Sequence, residues 1–167
     1  FELELSDIQG MAKDIGAITD DGTNGAGDIR VIANLTTDYA VIAESAIITG
    51  DLSITQSATN KAAATLTINH AVDNVVGGNL SITNIDTDVA HALLLDINLG
   101  TLTVTGTTTV VGSEGGAGAH AALTVDLAAT FTGGVTLNDD LDGLATFNAN
   151  ENNDVDITGT FNGASSG

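Results

Sequence analysis

The eight residues Ile48-Thr49-Gly50-Asp51-Leu52-Ser53-Ile54-Thr55 return 28 positions later as Val76-Gly77-Gly78-Asn79-Leu80-Ser81-Ile82-Thr83. The same corner recurs as Thr105-Gly106, Thr132-Gly133 and Thr158-Gly159. Gly50, Gly78, Gly106, Gly133 and Gly159 are therefore spaced by 28, 28, 27 and 26 residues. Self-similarity at a fixed period of this size marks a repeat architecture, in which each unit buries its apolar face only by stacking on its neighbours.

The residues around each corner keep their polarity even where their identity changes. Two before each glycine stand Ile48, Val76, Val104, Phe131 and Ile157, and two after stand Leu52, Leu80, Thr108, Val135 and Phe161. Four after come Ile54, Ile82, Val110, Leu137 and Gly163, while the opposite parity holds Asp51, Asn79, Thr107, Gly134 and Thr160. Alternation with period two is the pattern of a strand with one face inward and one outward.

Each repeat holds a second alternating segment: Leu66-Thr67-Ile68-Asn69, Leu95-Asp96-Ile97-Asn98, Leu123-Thr124-Val125-Asp126 and, after a shorter connection, Ala145-Thr146-Phe147-Asn148. Upstream, Gly27-Asp28-Ile29-Arg30-Val31 with Val41-Ile42-Ala43 forms a degenerate first copy, its glycine 23 residues before Gly50. Two or three short strands per unit predict an all-β, single-domain parallel β-solenoid (β-helix) of about five coils. Proline is absent from the chain, which suits stacked coils whose backbone donors are needed by their neighbours. An antiparallel β-sandwich is the rival fold, but it has no need of the same corner in every repeat.

Residues 1–26 are expected to be a cap. Phe1-Glu2-Leu3-Glu4-Leu5 alternates as a small strand. Ser6 with Gln9 matches a capping box, and Ile8, Met11, Ala12 and Ile15 follow at helical spacing, predicting a short helix over the first coil. Residues 27–163 then form the solenoid repeats and 164–167 a flexible tail. Residue 1 is Phe and the single Met is Met11, which reads as a processed chain or a fragment.

Composition narrows the function classes. Three Lys+Arg stand against 22 Asp+Glu, a formal net charge of −19. Phosphate neutralisation needs clustered cations, so no nucleic-acid partner is expected. No apolar run is long enough for a transmembrane segment. The chain has no Cys, which removes disulfides, thiolate metal sites and cysteine catalysis. His70, His91 and His120 share no metal-ligand spacing, and no nucleophile elbow or phosphate loop occurs. No catalytic residues and no cofactor are expected, and the chain reads as a non-enzyme. Calcium is the one metal worth weighing, because acidic turns supply hard oxygen ligands. Asp139, Asp140 and Asp142 are its candidate ligands.

Gly50-Asp51-Leu52-Ser53-Ile54-Thr55 and Gly78-Asn79-Leu80-Ser81-Ile82-Thr83 resemble the coils of bacterial secreted β-solenoid proteins of the filamentous-haemagglutinin and autotransporter-adhesin type. The resemblance covers about residues 27–163 and is one of repeat style. It implies a secreted, extracellular, surface-associated protein of structural or adhesive role.

A solenoid exposes a strand edge at each end, and such edges template pairing with another chain. The expected function is a structural subunit of a head-to-tail homopolymer, a filament or surface fibre. Its subunit interface would be built from Phe1, Leu3 and Leu5 on one side and Ile157 and Phe161 on the other. The alternatives are an adhesin-type module binding a glycan or cell surface and, third, a carbohydrate-active enzyme.

Overall fold

A computed structural model describes residues 2–6, 13–15, 17–19, 28–34, 39–43, 45–56, 63–69, 73–85, 91–112, 120–139, 144–150 and 154–163. Nineteen strands occur among them. The first nine are β1 (Glu2–Ser6), β2 (Lys13–Ile15), β3 (Ile18–Thr19), β4 (Ile29–Asn34), β5 (Tyr39–Ala43), β6 (Ala46–Ile48), β7 (Leu52–Gln56), β8 (Ala64–Asn69) and β9 (Asn74–Val76). They are followed by β10 (Leu80–Asn84), β11 (Leu93–Leu99), β12 (Leu102–Val104), β13 (Thr108–Gly112), β14 (His120–Val125) and β15 (Ala129–Phe131). The last four are β16 (Val135–Asp139), β17 (Leu144–Ala149), β18 (Val155–Ile157) and β19 (Phe161–Gly163).

Three strands make one coil, and every third strand joins the same sheet. The sheet orders are β1-β4-β7-β10-β13-β16-β19, β2-β5-β8-β11-β14-β17 and β3-β6-β9-β12-β15-β18. Strand pairs throughout are parallel, among them β7 on β10, β8 on β11 and β12 on β15. The fold is thus a three-sided parallel β-solenoid, and the antiparallel sandwich is excluded. At a strand spacing of about 4.8 Å, six coils rise on the order of 30 Å.

The inward columns are those the repeat implies. Ile48, Val76, Val104, Phe131 and Ile157 lie one above another, as do Leu52, Leu80, Thr108, Val135 and Phe161. Their strands from β7 to β15 alternate strictly between buried and half-buried residues, as in Leu52–Gln56 and Leu80–Asn84. Isoleucine, leucine and valine fill the interior, and Phe131 is its largest buried side chain. The Phe147 ring meets Phe131 edge-on, with centroids 5.5 Å apart and planes at 87°, the arrangement that aromatic quadrupoles favour.

Three expectations need correction. The first sheet holds seven strands and the others six, so the coils exceed five. The extra coil is the segment expected to be a cap. Ser6 ends β1, and Lys13–Ile15 is β2, so the ends of the expected helix are strands. Residues 7–12 between them lie outside the described residues, among which no helix occurs. The physical reason is pairing: β1 runs parallel on β4 with Leu3 opposite Val31 and Leu5 opposite Ala33, and β2 runs on β5. Extended pairing satisfies the backbone of this segment against an existing sheet, which a two-turn helix would not do. Among the described residues, Glu2–Ser6 already belongs to the first sheet of the solenoid, upstream of residue 27. The tail 164–167 lies outside the described residues.

The third correction concerns register. Phe147 stands opposite Leu123 and Ala145 opposite Ala121, two residues away from the alignment that the sequence suggested. A slip of two leaves every side chain on the same face, so the alternation alone does not detect it.

Candidate functional site: the corner ladder and the C-terminal sheet edge

The Thr-Gly corner joins the third sheet to the first, and there the coils stack backbone on backbone. Gly78 N–H donates to Gly50 O at 2.8 Å, and Gly106 N–H donates to Gly78 O at 2.8 Å. A Cβ on Gly106 would stand 2.6 Å from Gly78 O, and one on Gly133 would stand 2.5 Å from Gly106 C. Glycine recurs here because nothing larger fits between stacked backbones.

Beside the glycine column runs a ladder of side-chain oxygens. Asp28 Oδ1 accepts the N–H of Asp51 at 3.0 Å, and Asp51 Oδ1 accepts the N–H of Asn79 at 2.7 Å. Asn79 Oδ1 in turn accepts both the N–H and the hydroxyl of Thr107, each at 2.9 Å. Each side chain thus caps a donor in the next coil that would otherwise face solvent at the bend. Gly134 follows in this column, at φ +89°, and has no side chain to continue it. Asn79 heads a formal glycosylation sequon, yet its amide nitrogen already donates to Asp51 Oδ1 at 3.2 Å.

Two buried amides clamp neighbouring coils in the same manner. Asn74 Oδ1 accepts the N–H of Ala46 at 2.9 Å, while its Nδ2 donates to Thr101 O at 3.1 Å. Asn84 Nδ2 donates to the carbonyls of His91 at 2.7 Å and His120 at 3.0 Å. Sequence reasoning missed both. Asn74 begins β9 and Asn84 ends β10, places where asparagine ordinarily signals a turn, and only the stacking of coils gives Asn74 partners above and below and Asn84 partners in its own coil and the next.

The titratable groups remain dispersed. His120 Nε2 lies 2.8 Å from Thr146 Oγ1, and burial lowers its pKa. Asp96 is raised by burial first and then by the Asp126 carboxylate, with a hydrogen bond to Thr67 pulling it down. Of the calcium candidates, Asp139 ends β16 opposite Gly112, and Asp140 and Asp142 lie outside the described residues, as does His70. Among the described residues no group of three His, Cys, Asp or Glu stands close enough to hold a metal ion. No helix among them is long and apolar enough to cross a membrane.

The expected interface residues fall at the two ends of the stack. Leu3 and Leu5 belong to β1, the first strand of the first sheet, and Phe161 belongs to β19, the last. Ile157 lies in β18, at the same end as Phe161 but in the third sheet. Phe1 lies outside the described residues. At the C-terminal end Phe161 and Leu144 are each 50% exposed, and Phe147, Val155 and Ile157 are partly buried against the core. Phe147, Val155, Ile157 and Phe161 continue columns that are buried in the coil below, whereas Leu144 stands opposite the half-buried His120. Val135 N–H donates to Thr160 O at 3.0 Å. By the alternation of a parallel ladder, Phe161 and Gly163 therefore turn their N–H and C=O groups away from β16, toward the open edge.

Comparison of the chain with protein-family models, with curated proteins and with solved structures yielded no match.

Proposed function

We propose that the protein is a non-enzymatic structural subunit that assembles head to tail into a β-solenoid filament. One observation carries the reading: all three sheets run through the molecule in the same order and with parallel pairing throughout, broken in register only at a bulge between Ile97 and Leu99 among the described residues. Each begins with a strand of the first coil, β1, β2 or β3, and ends with β19, β17 or β18. The two ends are thus complementary, since β1 of a second copy can lie on β19 as β4 lies on β1. Such a contact is heterologous and does not close on itself, which is the condition for a fibre. The exposed Phe161, which continues the buried column of Val135, would lose water at the joint. Exposed acidic residues on the flanks, such as Asp28 and Asp73, would keep neighbouring filaments apart. The resemblance to secreted adhesin-type coils supports an extracellular location for the same reading.

The test is light scattering and negative-stain electron microscopy of the 167-residue chain. The expected result is growth in mass with concentration and unbranched rods. Phe161→Pro removes an N–H that faces outward and leaves the Thr160 carbonyl on β16 in place. It should abolish growth without unfolding the monomer. A chain that stays monomeric at high concentration overturns the proposal.

A further inference from the structure

Asn162-Gly163 lies in β19, the last strand of the first sheet among the described residues. Both residues are exposed. A Cβ on Gly163 would meet nothing nearer than Phe161 Cε1 at 3.8 Å, so no neighbour crowds the dipeptide. Its strand is three residues long and pairs on one side with β16, Thr136 standing opposite Asn162 and Leu137 opposite Gly163. The Gly163 N–H is directed away from that pairing. Asparagine followed by glycine is the pairing of side chain and backbone that cyclises most readily, because glycine places no Cβ in the path of its own nitrogen.

We propose that Asn162-Gly163 is a spontaneous deamidation site, and that its conversion closes the β19 edge to a second copy. In the first step the Gly163 backbone nitrogen gives up its proton to solvent base and attacks Asn162 Cγ. The Cγ–Nδ2 bond breaks, the side-chain nitrogen leaves as ammonia, and a five-membered succinimide forms. Water then adds to either imide carbonyl, and the C–N bond to that carbonyl breaks. The product is aspartate, or isoaspartate with one extra methylene in the backbone. No electrons are exchanged, and water is the only co-reactant.

The consequence follows from register. Ser53, Ser81, Thr109, Thr136 and Asn162 form one outward column, which passes through Arg30 to Glu2 at the other end. A second copy docked in this register brings its own Glu2 beside Asn162, about one strand spacing of 4.8 Å away. Neutral Asn162 accepts that neighbour. A carboxylate there faces another directly across a strand pair, which is destabilising, and isoaspartate also shifts the alternation that β19 offers. Docking in turn engages the Gly163 N–H, so an assembled joint protects the site.

This inference rests on the head-to-tail reading for its second half alone, and the experiment separates the two. Fresh protein is held dilute in mildly alkaline buffer, sampled over time, and mapped by peptide mass spectrometry with fragmentation that distinguishes isoaspartate. Asn162 is expected to convert well ahead of every asparagine not followed by glycine, with Gly163→Ala slowing it at least tenfold. Aged protein should then fail to assemble, while Asn162→Gln aged in parallel assembles as fresh protein does. Asn162 remaining intact after an unfolded peptide of the same sequence has converted overturns the site. Converted protein that assembles normally overturns the closing of the edge. If fresh protein does not assemble either, the head-to-tail reading fails and takes the closing with it, while the peptide map still decides the site.

Discussion

Gly78 sits directly over Gly50, its N–H donating to the Gly50 carbonyl at 2.8 Å, and a Cβ on Gly78 would lie only 2.8 Å from that same carbonyl oxygen. The corner is held by backbone contact that leaves no room for a methyl group. Gly78→Ala or Gly106→Ala should therefore destabilise the fold by about 1–3 kcal/mol through overpacking. Gly163→Ala, with ordinary contact distances, should change stability by no more than about 0.5 kcal/mol. Urea unfolding followed by circular dichroism measures all three, and equal effects would refute the argument from close approach.

Thr108 occupies an inward column between Leu80 and Val135 and is fully buried. Its Oγ1 has no hydrogen-bond partner among the described residues. Thr108→Val keeps the branched shape and removes a desolvated hydroxyl, so it should stabilise by about 1 kcal/mol. A lower urea midpoint for this variant would show that the hydroxyl finds a partner after all.

Asn74 ties three successive coils together through Ala46, its own strand and Thr101. Asn74→Leu leaves the buried Ala46 N–H without its acceptor, while the Thr101 carbonyl still accepts the backbone N–H of residue 74. The expected cost is about 1–3 kcal/mol, that of one unmet buried donor. Hydrogen exchange gives the specific readout: the Ala46 amide should lose protection more than amides elsewhere in β6 and β7.

Asp96 and His120 affect the pH dependence of stability with opposite sign. Burial and Asp126 raise Asp96 above its usual 3.8, so the folded protein retains a proton that the unfolded chain has released. The favourable contribution is complete below the unfolded value and lost as pH rises through the folded one. Asp96→Asn should thus be more stable than the parent at neutral pH, by a few tenths of a kcal/mol given solvent screening, and equal to it near pH 3. Burial lowers His120 below its usual 6.5. The fold resists that proton, and stability falls as pH drops from 6.5 toward the folded value. His120→Gln should remove that part of the decline in thermal melts.

The Thr-Gly corners and inward columns were legible because the same contact recurs in every coil and so leaves the same residue type at the same spacing. Gly50, Gly78 and Gly106 mark a steric limit, and Ile48, Val76 and Val104 mark an apolar one. The first coil was not legible. It lacks the Thr-Gly corner, and the spacing of Ile8, Met11, Ala12 and Ile15 suits a helix as well as a strand followed by a turn. What draws Glu2–Ser6 and Lys13–Ile15 into strands is β4 and β5, which lie far along the chain and offer an edge. The polar clamps Asn74 and Asn84 were hidden for a related reason. An amide is recognisable as buried and bonded only once the coils above and below it are known. For the C-terminal edge, Phe161 and Ile157 were visible as continuing columns, but the outward aim of the Gly163 N–H depends on pairing that residue types do not encode.

The constant register between coils has one more consequence. Leu52 meets Leu80, and Leu80 meets Thr108, each across 28 residues, so the entropic cost of closing one coil is nearly the same wherever folding starts. Order can spread from any formed pair of coils in either direction, with nearest-neighbour gains alone. The chain also carries its own editing rule. Removing or duplicating a segment of whole-coil length, such as 79–106, leaves every column in phase. Losing a single residue from one strand turns that strand inside out.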